Sequence, residues 1–183
     1  MAIDFSQVKM ITIPEGDVTK ITDSTGNTLW QGASWQTIWE GSKTCYATES
    51  SHSGNVDNFA QTISGTGYTP KIRITFSLTV VDSSNSSNSG FISYYINDKS
   101  GTSAPESPII IDSLNETSST NTLLGGYIFY DNYNYRINAA LQAVKDTGNN
   151  RIKFNLWADY KMPSFTPYEG KATLKITKIE QYY

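Results

Sequence analysis

The sequence is poor in the residues that carry most enzyme and metal chemistry. Among 183 residues there is one cysteine, Cys45, and one histidine, His52. A single cysteine excludes an internal disulfide and fits synthesis in a reducing compartment. The simplest role for Cys45 is that of a small buried hydrophobe. A zinc site wants three or four Cys or His ligands, so zinc is not expected. Charge is sparse and slightly acidic, with 14 Lys and Arg against 17 Asp and Glu. No basic run exists to neutralise phosphates, which argues against a nucleic-acid partner. No apolar stretch approaches the roughly 20 residues of a membrane-spanning helix. Met1–Phe5 lacks the basic and apolar regions of a signal peptide, so we expect a soluble product made in a cytoplasm. The glycosylation patterns Asn85-Ser86-Ser87 and Asn115-Glu116-Thr117 should then carry no sugar.

What the chain does contain is aromatic and polar: 12 Tyr, 7 Phe and 4 Trp, beside abundant Ser, Thr and Asn. That mixture suits strands joined by polar loops. Lys71 to Val81 alternates strictly, with Ile72, Ile74, Phe76, Leu78 and Val80 on one side. Ile152, Phe154, Leu156 and Ala158 form a second such set, and Trp157 falls on their polar side. Ala172, Leu174 and Ile176 form a third. Period two over such lengths predicts strands with one buried face. Shorter apolar runs lie at Trp35–Trp39, Phe91–Ile96, Pro108–Ile111 and Gly126–Tyr130. Asp82–Gly90, Asn97–Ser107 and Asp112–Asn121 read as polar loops. Arg136–Lys145 fits a helix through Ile137, Ala140, Leu141 and Val144, or a strand through Ile137, Ala139, Leu141 and Ala143. The turn at Asp146–Asn150 demands a partner for the following strand, which favours the second. Asn58–Ile63 is read as a helical turn. About eight strands and no convincing helix predict an all-β, antiparallel, two-sheet β-sandwich of jelly-roll type over 33–183.

Ahead of it, two β-branched runs flank Asp23-Ser24-Thr25-Gly26-Asn27, where Gly and Asn can take positive φ. Residues 1–32 therefore read as a separate β-hairpin segment. A lone hairpin is marginal in water and needs something to lie on. Ile11 to Gly16, Val18, Lys20 to Asp23, Gly26, Asn27, Leu29 and Trp30 compose an ITIPEG-x-V-x-KITD-x-x-GN-x-LW stretch. It resembles a segment found in tail, fibre and other minor structural proteins of phages and prophages of Gram-positive, often gut-dwelling, bacteria. The resemblance covers about a sixth of the chain and implies a virion component, made in the host cytoplasm, whose partners are other virion subunits. Homo-oligomers, trimers among them, are common in such proteins. Under this reading Val18, Ile21, Leu29 and Trp30 dock the segment on a neighbouring subunit.

No catalytic set emerges, and we expect no enzyme. His52 has serines beside it and Asp57 nearby, but nothing places a nucleophile, base and acid together. Glu40, Glu106, Glu116, Asp131 and Glu169 could supply a glycosidase pair only in the sense that almost any protein could. No cofactor is implied. Calcium is the one cation that the loop carboxylates Asp82, Asp98, Asp112, Glu116, Asp131 and Asp146 leave open, though without an EF-hand spacing. The aromatics are more informative. Trp157 and the cluster Tyr127, Tyr130, Tyr133 and Tyr135, interleaved with Asn and Asp, form either a face between subunits or a receptor-recognition face for a host surface glycan.

Overall fold

The computed structural model describes residues 20–22, 25–48, 57–62, 71–84, 89–112, 120–130, 135–146, 151–161 and 169–182, with backbone alone at 20, 28–31, 57–62, 144–146 and 151. Among them there is no helix. Twelve strands follow in order: β1 (Lys20–Thr22), β2 (Thr28–Gln31), β3 (Trp35–Thr48), β4 (Asp57–Thr62), β5 (Lys71–Asp82), β6 (Phe91–Ile96), β7 (Lys99–Gly101), β8 (Ile109–Ile111), β9 (Asn121–Tyr130), β10 (Tyr135–Asp146), β11 (Arg151–Lys161) and β12 (Gly170–Tyr182). All pairings are antiparallel. They build a six-stranded sheet, β4-β11-β10-β9-β6-β7, a four-stranded sheet, β3-β12-β5-β8, and a separate ladder, β1-β2. Neither larger sheet closes on itself.

The alternating runs explain the layering. Ile72, Ile74 and Phe76 of β5 and Ala172, Leu174 and Ile176 of β12 are buried against Ile137, Ala139 and Leu141 of β10 and Phe154 and Leu156 of β11. β10 lies across from β12 and β3, β11 across from β3, and β9 across from β5 and β12. One apolar layer is thus shared by both sheets, and the opposite face of each sheet is turned away from it. Cys45 lies in this layer, where its Sγ donates to the Trp157 carbonyl across the sheets at 3.4 Å. Burial pushes its thiol up to about 11, although contacts with the backbone of Ala140, Leu174 and Trp157 work the other way.

Three expectations need correction. The stretch read as a helical turn, Asn58–Ile63, is strand β4 over its described part, because β11 offers a free edge and backbone pairing satisfies both chains. The polar loop after Asn97 contains the short strand β7, closed by a tight turn with positive φ at Asn97 (47°) and Asp98 (61°). The run expected at Trp35–Trp39 continues to Thr48 as a 14-residue strand. Arg136–Lys145 lies within strand β10, which pairs with β9 on one side and β11 on the other.

Bulges adjust the alternation. Between Ile176 and Lys178 the register of β12 slips against both neighbours, so that Ile179 reaches the core instead of Lys178. A slip opposite Leu141 and Gln142 lets both Leu123 and Leu124 face inward.

Candidate functional site

The outward face of the six-stranded sheet carries the densest set of aromatic and amide side chains that the strands bring together. Register fixes its rows. Ser93, Tyr127, Asn138 and Asp159 stand side by side on β6, β9, β10 and β11. The next row is Tyr95, Gly125, Ala140 and Trp157. Tyr127 packs between Tyr95 and Phe129, with ring centroids at 4.7 and 4.3 Å. Burial and the neighbouring Tyr127 hold the Tyr95 hydroxyl above its ordinary range, while Arg136 pulls it the other way. Arg136 Nε donates to Asp159 at 2.7 Å, and Lys153 and Lys161 stand on the same side of β11.

Two amides on the same face are incompletely satisfied. Asn138 is 7 % exposed, and its Oδ1 is buried without a donor; Asn155 Oδ1 on the adjacent strand is in the same state. A buried polar atom left unpaired costs about 1–3 kcal/mol. Ala140, between these residues, is 1 % exposed despite facing outward. With Gly125 beside it, no long side chain rises from the row between Tyr95 and Trp157.

The residues expected to form a ligand or subunit face divide. Trp157 and Tyr127 lie on this outward face, Trp157 half-buried and Tyr127 8 % exposed. Tyr130 and Tyr135 pair with each other across β9 and β10 and turn inward to the shared core. They are not surface rings, because the same period-two alternation that turns Tyr127 out turns Tyr130 in. Tyr133 lies outside the described residues. Tyr130 is 2 % exposed, and its hydroxyl donates to Asp82 Oδ1 at 3.0 Å and lies 3.2 Å from the Glu169 carbonyl. Burial disfavours the Asp82 charge. The amides of Gly90 (2.6 Å) and Ser84 (3.0 Å) outweigh it and hold this carboxyl below its ordinary range. This cluster clamps the ends of β5, β9 and β12. Tyr95, Phe129, Asn138 and Asn155 are the members that sequence reasoning missed. Their alternation within each run was visible, but the register that joins them was not.

The other candidates fare differently. Ile21, half-buried, stands opposite Trp30 in the β1-β2 ladder, with Gly26 at φ 88° in the turn. Leu29 and Trp30 are described by backbone alone, and Val18 lies outside the described residues. Three of the loop acids are engaged: Asp82 as above, Asp98 by the Thr122 amide at 2.8 Å, and Asp112 by Lys71 at 3.1 Å. Glu116, Asp131, His52 with its serines, and both glycosylation patterns fall wholly or partly outside the described residues. Glu40, Glu106 and Glu169 are exposed on separate elements. Among the described residues no group of three His, Cys, Asp or Glu is arranged to hold a metal.

The outward face of the four-stranded sheet carries a charged cluster. Glu180 is 5 % exposed and accepts from Arg73 Nε at 2.7 Å, Arg73 Nη2 at 2.9 Å and Lys178 Nζ at 2.8 Å. Arg73 hydrogen bonding, against the opposing effect of burial and with the help of Lys178, holds the Glu180 carboxyl down at about 2. The Arg73 guanidinium lies 4.5 Å over the Trp35 ring, which meets Tyr182 edge-on at 5.4 Å. No family model, curated protein sequence or solved structure matches the chain.

Proposed function

We propose that this chain is a non-enzymatic phage virion subunit, tail-associated or capsid-decorating. Residues 1–32 dock it, and a jelly-roll-like β-sandwich (33–183) projects from the particle. The observation that carries the reading is the β1-β2 ladder, which belongs to neither larger sheet and sets Ile21 opposite Trp30. It coincides with the segment that resembles phage tail and fibre proteins. Among the described residues the pair has no third strand, and a pair this short is marginal alone, which favours completion by a neighbouring subunit. The sandwich reading is supported by a chain that passes repeatedly between two sheets sharing one core. The working state is a homo-oligomer in the virion, a trimer by analogy with such proteins.

The test is incorporation. Trp30→Ala and a variant lacking 1–32 should fold, by their far-ultraviolet spectra, yet be missing from purified particles by immunoblot. Particles carrying normal amounts of either variant would refute the docking role. Light scattering on the purified chain checks the oligomeric state.

A further inference from the structure

We propose that the four-stranded sheet is completed by a strand from a second copy of this chain, residues 8–13, added along the open half of β5. β12 pairs with β5 from Lys71 to Asp82, but on the other side β8 covers only Ile72, Arg73 and Ile74. The Phe76 N–H, which points away from β12, is taken by the Ser107 hydroxyl at 2.9 Å. By alternation the N–H and C=O groups of Leu78 and Val80 point the same way, and no described residue bonds to them. Their side chains face the core yet are only half-buried, whereas Ile72 and Ile74 beside β8 are fully enclosed. The two sheets also differ in width. β9 lies across from β5, and Val80 fills the space over Gly126 of β9, with Tyr94 beside it. β6 and β7 continue past that point with no described strand squarely across from them. Under this overhang is a cavity of about 290 Å³, lined by Tyr94, Ile96, Lys99, Ser100, Gly101 and Ser103. An open main-chain edge beside an apolar slot selects an extended polypeptide, because a strand supplies amides and alternate side chains together.

The donor is read from the sequence. Outside the described strands, Val8-Lys9-Met10-Ile11-Thr12-Ile13 is the one run dense in β-branched and apolar residues. Laid antiparallel to β5, as every pairing in the fold is, it sets Ile11 opposite Val80 and Ile13 opposite Leu78, both toward the slot. Thr12 then meets Thr79 on the outward face, Met10 covers Val81, which is 44 % exposed, and Lys9 falls opposite Asp82. Pro14 falls opposite Ser77, where its missing N–H points away from β5 and costs no bond. The N-terminal ladder leaves the body at Trp35, in the row of Lys71. The row of Val80 is about 30 Å further along, at about 3.4 Å per residue, which places the slot nearer to a neighbour's segment than to the chain's own. Donor and acceptor are different surfaces, so the contact is heterologous and repeats head to tail into a ring. The inference deepens the docking reading and rests on it for the presence of neighbouring copies.

The test uses the full chain. Sedimentation should show self-association, and Ile11→Asp should raise the dissociation constant about tenfold or more, because a charge would enter an apolar slot. Chains carrying Thr12→Cys and chains carrying Thr79→Cys, mixed and mildly oxidised, should give a dimer band on non-reducing gels. Opposed residues of a non-hydrogen-bonded pair lie within disulfide reach. Cys45 is buried and stays out of the exchange. Thr44→Cys, exposed on the outward face of β3, is the control and should give no more dimer with Thr12→Cys than Thr12→Cys gives alone. A monomeric parent, undiminished association of Ile11→Asp, or equal trapping at Thr44→Cys and Thr79→Cys overturns the proposal. So does a bridge that forms within the double variant Thr12→Cys/Thr79→Cys but never between mixed chains, which would return the segment to its own β5. If the parent is monomeric while Trp30→Ala is still missing from particles, this inference falls and the docking reading stands.

Discussion

On the outward side of the four-stranded sheet, Glu180 is enclosed by Arg73 and Lys178, with Trp35 stacked over the guanidinium. On the outward side of the six-stranded sheet, Asn138 is nearly as buried and has an oxygen with nothing to accept from. Both positions remove a polar group from water. In the first, the cost of desolvation is offset within the fold, and the cluster fixes the meeting of β3, β5 and β12. In the second the cost is left standing. Buried polarity is therefore informative only together with the inventory of its partners.

The largest test breaks the comparison by removing the layer beneath both faces. Phe154→Ala should cost about 3–5 kcal/mol in denaturant unfolding, because the ring is fully buried between the sheets. A loss under 1 kcal/mol would mean that the sheets do not share the layer described. Glu180→Gln comes next, with about 2 kcal/mol lost at neutral pH, the scale of hydrogen bonds to a charged group. Its pH dependence sharpens the contrast. The carboxyl is held at about 2 against an ordinary 4.5, so its stabilisation is complete above about 4.5 and disappears as pH falls toward 2. Equilibrium unfolding should show the parent converging on the glutamine variant across that window, and parallel curves would contradict the assignment. Tyr130→Phe should cost about 1 kcal/mol, since Asp82 keeps its two amide donors. A neutral result would mean that the hydroxyl adds nothing to the clamp. The smallest effect is expected at Asn138→Leu, which should be neutral or slightly stabilising. Destabilisation by more than 1 kcal/mol would show that the amide serves the fold, and the two positions would no longer differ in kind.

Much of the layering was legible in the sequence, because alternation over ten residues has one physical solution. Ile72, Ile74, Phe76, Ile152, Phe154 and Leu156 face the core as their spacing requires, and Trp157 faces away. Alternation does not report register. Tyr127 and Tyr130 read as one cluster along the chain yet stand on opposite faces, and Tyr95 joins Tyr127 only through the pairing of β6 with β9. Bulges are also hidden. Extending the rhythm of Ala172, Leu174 and Ile176 would bury Lys178, and the slip at Thr177 spares it. Strand β4 carries few apolar residues and is defined by the edge that β11 presents. The candidate site was legible only in part, since Asn138 and Asn155 look like ordinary loop-prone polar residues until their neighbours are known.

Only Gly32, Ala33 and Ser34 separate β2 from β3. Ser34 is itself held by Gln36 at 2.9 Å, and Trp35 lies against both Arg73 and Tyr182. A tether this short transmits load. Any pull on the N-terminal ladder enters the body at Trp35, opposite Tyr182, at the first rung of the β3–β12 ladder. The rung that would open first is therefore the one reinforced by stacked rings and a guanidinium, and mechanical strength is concentrated where strain arrives.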